Sequence, residues 1–158
     1  MELKQRNVDL MSSEFVTISE DSGIKEAFEA IMANLEANPD SPGLIVIDKE
    51  GRYAGVVTMD GLMDELSRLY GDACDKPGTR DWADAFFNQC EIVRLDKISK
   101  IKSGEGLTAN ASDSFDKGCQ LLLDKKLNML AVVDEASKVV GVITRRKVLA
   151  ELAPKMFK

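Results

Sequence analysis

Thr58 and Thr144 each stand where an apolar run gives way to helical spacing. A threonine at a helix start accepts a hydrogen bond from a first-turn N–H that has no partner within the helix. The same start attracts anions, because those N–H groups and the positive end of the helix dipole point outward. Two roles are therefore open to each residue, a plain cap or part of an anion site. Thr144 is followed by Arg145, Arg146 and Lys147. Three cations in a first turn oppose the macrodipole, at about 0.3–1 kcal/mol each. Local rules are broken where function requires it. This turn is read as binding an anion such as a phosphate, with Arg145 or Arg146 as the clamp. The competing reading leaves the three cations solvated or paired with the chain's acids. Thr58 is followed by Met59-Asp60-Gly61, which suits the dipole and offers no cation. That cleft is expected to be empty, or to accept a neutral or cationic group.

Other chemistries find less support. The chain has no histidine, which removes histidine-based triads and most transition-metal sites. It has 27 Asp and Glu residues, but no spacing marks a catalytic pair, so an enzyme is the least favoured class. Cys74, Cys90 and Cys119 form no C-x-x-C pair, and an odd count without an apolar leader is expected of reduced thiols in the cytoplasm. Cys74 reads as the more reactive thiol and Cys119 as core. A net charge of −6 argues against a nucleic-acid surface, and no apolar run is long enough to span a membrane.

The elements that must position the threonines form a repeat. Gly43-Leu-Ile-Val-Ile-Asp48, a polar turn and Tyr53-Ala-Gly-Val-Val-Thr58 correspond to Met129-Leu-Ala-Val-Val-Asp134, a polar turn and Val139-Val-Gly-Val-Ile-Thr144. Asp48 pairs with Asp134, Gly55 with Gly141 and Thr58 with Thr144 at one constant offset. Upstream, Ser12, Glu14 and Thr17 recur as Ser103, Glu105 and Thr108 at a larger offset. The extra residues fit 36–42, where two prolines mark a loop.

Each repeat reads β-α-β-β-α. In the first, 15–18 is a short strand, and 23–37 is an amphipathic helix carrying Ile24, Ala27, Phe28, Ile31 and Leu35, capped by Ser22 or Asp21. Thr58 begins a second helix with Leu62, Leu66 and Leu69 on one face. In the second, Phe115, Cys119, Leu122 and Leu123 mark one helix, and Val148, Leu149 and Leu152 mark a short last one. Gly118, aligned with Ala27 in the repeat, is expected to permit close helix–sheet packing. Residues 8–70 and 99–153 are the two repeats, and 71–98 is a linker. Within the linker, 71–78 reads as a loop and 81–90 as a short helix with Trp82, Phe86, Phe87 and Cys90 on its apolar side. That helix either covers core or meets a partner.

The paired strand–turn–strand–Thr segments, with Gly55-Val-Val-Thr58 and Gly141-Val-Ile-Thr144 at their ends, resemble the CBS domain family, in which two repeats form one module. The resemblance implies an α+β fold of two β-α-β-β-α units about a pseudo-twofold axis. It also implies two clefts that hold adenosine-type regulatory ligands such as AMP, ATP or S-adenosylmethionine. The ligand contacts it implies come from the approach to the first strand (Ser12, Val16 and Thr17, or Ser103, Leu107 and Thr108). Others come from the start of the second strand (Pro42 to Ile45 with Leu44, or Asn128, Met129 and Leu130), and from Thr58 and Thr144. Family members that bind nucleotides carry an Asp three residues after the Thr to accept the ribose hydroxyls. Here Gly61 and Lys147 occupy those positions. Asp60 lies one position early, about 100° around the helix, and is expected to point elsewhere. Function is thus expected to be a stand-alone, non-catalytic regulatory module sensing a nucleotide-like anion. The alternative is a ligand-free module that regulates a protein partner through its surface. A homodimer is expected in either case.

Overall fold

The computed structural model describes residues 5–39, 41, 43–75 and 82–157. The elements are α1 (Asn7–Leu10), β1 (Thr17–Ser19), α2 (Ile24–Ala37), β2 (Gly43–Ile47), β3 (Tyr53–Thr58), α3 (Met59–Cys74) and α4 (Trp82–Val93). A single 3-10 turn at Ile98–Lys100 leads to β4 (Thr108–Asn110), α5 (Phe115–Lys125), β5 (Met129–Val133), β6 (Val139–Thr144) and α6 (Arg145–Met156).

The strands form two sheets of three, ordered β1-β2-β3 and β4-β5-β6. In each, the outer pair is parallel and the hairpin is antiparallel: Thr17 registers with Ile45 and Ile45 with Val56, as Thr108 does with Ala131 and Ala131 with Val142. Alternation along the central strands divides the core. Leu44 and Val46 face α2, and Leu130 and Val132 face α5. Ile45, Val56, Met129, Ala131 and Val142 meet between the two sheets. The repeated aspartates shape the hairpins. Asp48 Oδ1 accepts from the N–H groups of Glu50 and Arg52, both at 2.9 Å, and Asp134 Oδ1 accepts from those of Ala136 and Lys138 at 2.9 and 3.0 Å.

The approach segments are exchanged between repeats. Ser12 pairs both its backbone groups with Val142 of the second repeat, at 2.8 and 2.9 Å. Ser103 does the same with Val56 of the first, also at 2.8 and 2.9 Å. The repeated glycines make room for this crossing. A β-carbon at Gly55 (φ +142°) would lie 2.9 Å from the Ser103 carbonyl oxygen, and one at Gly141 would lie 2.9 Å from that of Ser12. The exchange carries side chains with it. Ile98 and Ile101 are buried in the core of the first repeat, and Leu10 in that of the second. Asn7, fully buried, donates to the Asn110 carbonyl at 2.8 Å.

Several expectations are corrected. The first strand is 17–19 rather than 15–18. Gly23 precedes α2 with no side-chain cap; the first N–H groups, of Ile24 and Lys25, donate instead to the carbonyls of Asp96 and Arg94 at 2.8 and 3.0 Å. Residues 71–74 of the expected loop continue α3, while 76–81 lie outside the described residues. The last helix is a full 12 residues and contains Pro154. Leu123 and Leu149 are exposed (59% and 67%), because they lie on the outer rather than the sheet-facing side of α5 and α6. Gly118 does permit close packing, but against two partners: a β-carbon there would lie 3.0 Å from Asn7 Oδ1 and 3.4 Å from Leu130 Cδ2. Among the described residues no helix is long and apolar enough to cross a membrane.

Candidate functional site

Both threonines cap their helices in the same way. Thr58 Oγ1 accepts from the Gly61 N–H at 3.1 Å and Thr144 Oγ1 from the Lys147 N–H at 3.2 Å. The two helices are 16 and 12 residues long, so each presents a full macrodipole at its start. The starts of α3 and α6 converge on one mouth. A cavity of about 380 Å³ there is lined by Ser41, Met59, Asp60, Asn128, Thr144, Arg145 and Arg146. Asp60 does not point elsewhere as expected. Its Oδ2 accepts from Asn128 Nδ2 at 3.4 Å. Because the two helix starts face each other, Met59 and Asp60 of α3 line the same space as Arg145 and Arg146 of α6.

The mouth therefore carries opposite charges on opposite walls. Arg145 is exposed and makes no ion pair with any described residue. Lys147 leaves the group, because its ammonium runs back along α6 to Glu151 at 3.5 Å. A phosphate-sized anion can meet the Arg145 and Arg146 guanidinium groups while Asp60 accepts from a hydroxyl or an amine.

On the other side of Thr58 lies a second cleft of about 350 Å³. Its lining includes Thr58, Ser103, Leu107, Lys126, Asn128 and Met129. The segment exchange thus joins Thr58 of the first repeat to Ser103 and Leu107 of the second. The turn after Thr58 offers no cation, but Lys125 and Lys126 line this cleft from the end of α5. Lys126 has a left-handed backbone (φ 51°), a conformation a lysine adopts at some cost and one that is common only for glycine. A third space of about 430 Å³ continues from Thr58 along α3 and is lined by Asp60, Asp64, Lys100 and Lys102, although the ammonium groups of the two lysines bind Asp96 and the Ala54 carbonyl at 2.7 and 3.2 Å. Sequence reasoning missed these lysines. The signal was the alignment of Lys100 and Lys102 with the approach segment, but which repeat they face follows only from the exchange.

Other expected contacts do not line these three spaces. The side chains of Leu44 and Leu130 are fully buried in the helix-covered cores. Val16 and Thr17 are exposed at the start of β1, and Thr108 is half-buried in β4. Ser12 is fixed by its backbone to Val142, and its Oγ accepts from the Glu14 N–H at 3.1 Å. Pro42 lies outside the described residues. Near the second cleft, Tyr53 Oη donates to the Gly104 carbonyl at 2.6 Å, and burial, with Glu105 nearby, pushes its pKa up to about 12. It is a neutral donor that locks the approach loop. Burial likewise raises the thiols of Cys90 and Cys119. Among the described residues no group of three or more Cys, Asp or Glu side chains is arranged to hold a metal ion.

Comparison with known proteins agrees with this architecture. The family model for the CBS domain matches residues 8–68 and 101–154. A CBS domain-containing protein of Dictyostelium discoideum is 25% identical over 140 residues, covering 89% of this chain and 86% of that protein. The CBS-pair protein CBSX2 of Arabidopsis thaliana superposes with a TM-score of 0.67 at 20% identity, over 97% of this chain and 98% of that one. CBSX2 has also been solved in complex with AMP. A CBS domain pair in complex with 5′-methylthioadenosine and S-adenosyl-L-methionine gives a TM-score of 0.68 at 18% identity, over 96% and 98% of the two chains. At these identities the structural likeness establishes the fold.

Proposed function

We propose that this chain, which belongs to the CBS domain family, is a regulatory module that senses a phosphate-bearing metabolite, with adenosine-type nucleotides the favoured class. One observation carries the reading: the shared mouth with Arg145 and Arg146 on one wall and Asp60 on the other. Its volume of about 380 Å³ falls within the roughly 300–1,000 Å³ of small-molecule sites. The phosphate meets the arginines and the N-terminus of α6, where a charge-assisted hydrogen bond contributes about 1.5–3 kcal/mol. Asp60 takes over the hydroxyl-accepting task that Gly61 and Lys147 cannot perform. The adenosine-type ligands of two CBS-pair structures of this fold support the class. Such a ligand regulates only by binding two states of the module unequally.

A second reading rests on the outer helices. Met32, Met63, Leu123 and Leu149 are 54–67% exposed at matching places in the two repeats, which suits a second copy of the chain or a regulated protein partner. Titration calorimetry and thermal shift with AMP, ATP and S-adenosylmethionine separate the two. The sensor reading expects a ligand at 100 times its Kd to stabilise the fold by about 2.7 kcal/mol. It also expects the Arg145→Ala/Arg146→Ala variant to lose at least tenfold in affinity. No stabilisation by any of the three favours the interaction module, and equal affinity in the double variant removes the clamp.

A further inference from the structure

The helix between the repeats, α4, lies on α2 and α3 without sealing against them. Its 12 residues include Trp82, Phe86, Phe87, Cys90, Ile92 and Val93, yet none of the 12 is buried. Between the three helices remains a cavity of about 460 Å³, lined among others by Ile24, Phe28, Leu66, Leu69, Phe86 and Cys90. The space is a groove open to solvent, and its size and almost wholly apolar walls are those of a small-molecule pocket.

The polar groups sit at its edge and are mostly positive. Lys25, Glu29 and Arg94 are the charged lining residues, a net positive rim on a chain of net charge −6. Lys25 and Glu29 pair at 3.7 Å with both side chains more than half exposed, a contact of little strength in water. Arg94 holds Glu91 at 2.8 Å, but its buried Nε makes no hydrogen bond. The contact is close in distance and too poorly aligned to satisfy the donor. The Lys25 backbone N–H donates to the Arg94 carbonyl at 3.0 Å, which holds the two residues side by side at the N-terminal end of α2, where the helix dipole adds positive potential.

We infer that this cavity is a second binding site, for an apolar molecule with an anionic head, of the class of free medium-chain carboxylates. The tail lies among the phenylalanines and leucines of α2, α3 and α4. The carboxylate meets the Arg94 guanidinium, whose fork matches its two oxygens, and Lys25 adds a point charge. The inference is independent of the nucleotide reading, because none of the pocket's lining residues lines the mouth between α3 and α6.

The chain supplies its own reporter. Trp82 is the single tryptophan, and its ring centroid lies 6.1 Å from that of Phe86. The full chain is titrated with decanoate, decanol and decylamine, following Trp82 emission and calorimetric heat. Decanoate is expected to bind saturably at one site, at least tenfold more tightly than decanol or decylamine. Cys90→Phe, which fills the cavity, is expected to abolish binding. Arg94→Gln, which keeps the backbone contact to Lys25, is expected to bring decanoate down to the level of decanol. Absence of saturable decanoate binding overturns the inference. So does equal affinity for decanoate and decanol, or unchanged decanoate affinity in Arg94→Gln.

Discussion

The helix starts at Thr58 and Thr144 have one geometry and opposite electrostatics. Both threonines accept from the N–H three residues on, at 3.1 and 3.2 Å. One turn then runs Met59-Asp60-Gly61 and the other Arg145-Arg146-Lys147. The shared part is what the fold needs, a strand that ends and a helix whose first donors are satisfied. The divergent part contributes nothing to that and, at α6, opposes it. The difference separates residues that specify the scaffold from residues available to select a ligand. Facing each other across one mouth, the two turns line a cavity that neither repeat forms alone.

The comparison can be broken most forcefully at the exchanged segments. Leu10→Ala is expected to cost about 2–5 kcal/mol by urea unfolding, as other buried Leu truncations do. The protection against hydrogen exchange should fall first at Leu130 and Val132 of the second repeat, although Leu10 precedes the first. Loss confined to β1–β3 would show that the repeats are not interlocked. The next effect sharpens the electrostatic contrast. Arg145→Met gives α6 the residue that α3 carries at this position. Nucleotide affinity should fall about tenfold while the fold gains about 0.3–1 kcal/mol, because a misplaced cation leaves the dipole. Thr58→Ala and Thr144→Ala test the likeness itself, each costing about 1 kcal/mol in the same unfolding assay. A silent Thr144→Ala would mean that the caps are unequal.

The smallest effect concerns acid. Backbone N–H groups, that of Arg52 foremost, hold the Asp48 carboxyl below its ordinary value. A depressed folded-state pKa gives stability that is present above the unfolded value of about 3.9 and is lost as pH falls through the folded one. Asp48→Asn should therefore flatten the loss of stability below about pH 4 and leave the slope near neutrality unchanged.

The repeat, the strand alternation and both caps were legible because each has a local period or a local chemical reason. Strand alternation turns the side chains of Leu44 and Leu130 toward helices, so at these two positions only the backbone faces away from the core. Asp60 was misjudged because its direction depends on where α6 lies, and no residue near position 60 encodes that. The exchange of Ser12 and Ser103 joins positions far apart in the chain. Its trace in the sequence is the pair Gly55 and Gly141, which read only as repeat markers until a crossing backbone was found against each. The charge reversal after Thr144 was fully visible, since it needs no partner to be noticed.

The exchanged segments also bear on how the chain is made. Synthesis releases the N-terminus first, and domains commonly fold as they emerge. Here Asn7 and Val8 hydrogen-bond to the carbonyls of Asp113 and Ala111, while the core over α2 stays open until Ile98 and Ile101 arrive. Contacts so distant along the chain slow folding. The segment 7–10 is thus made well before the repeat that it completes, and the first repeat exposes its apolar face until 98–101 follow.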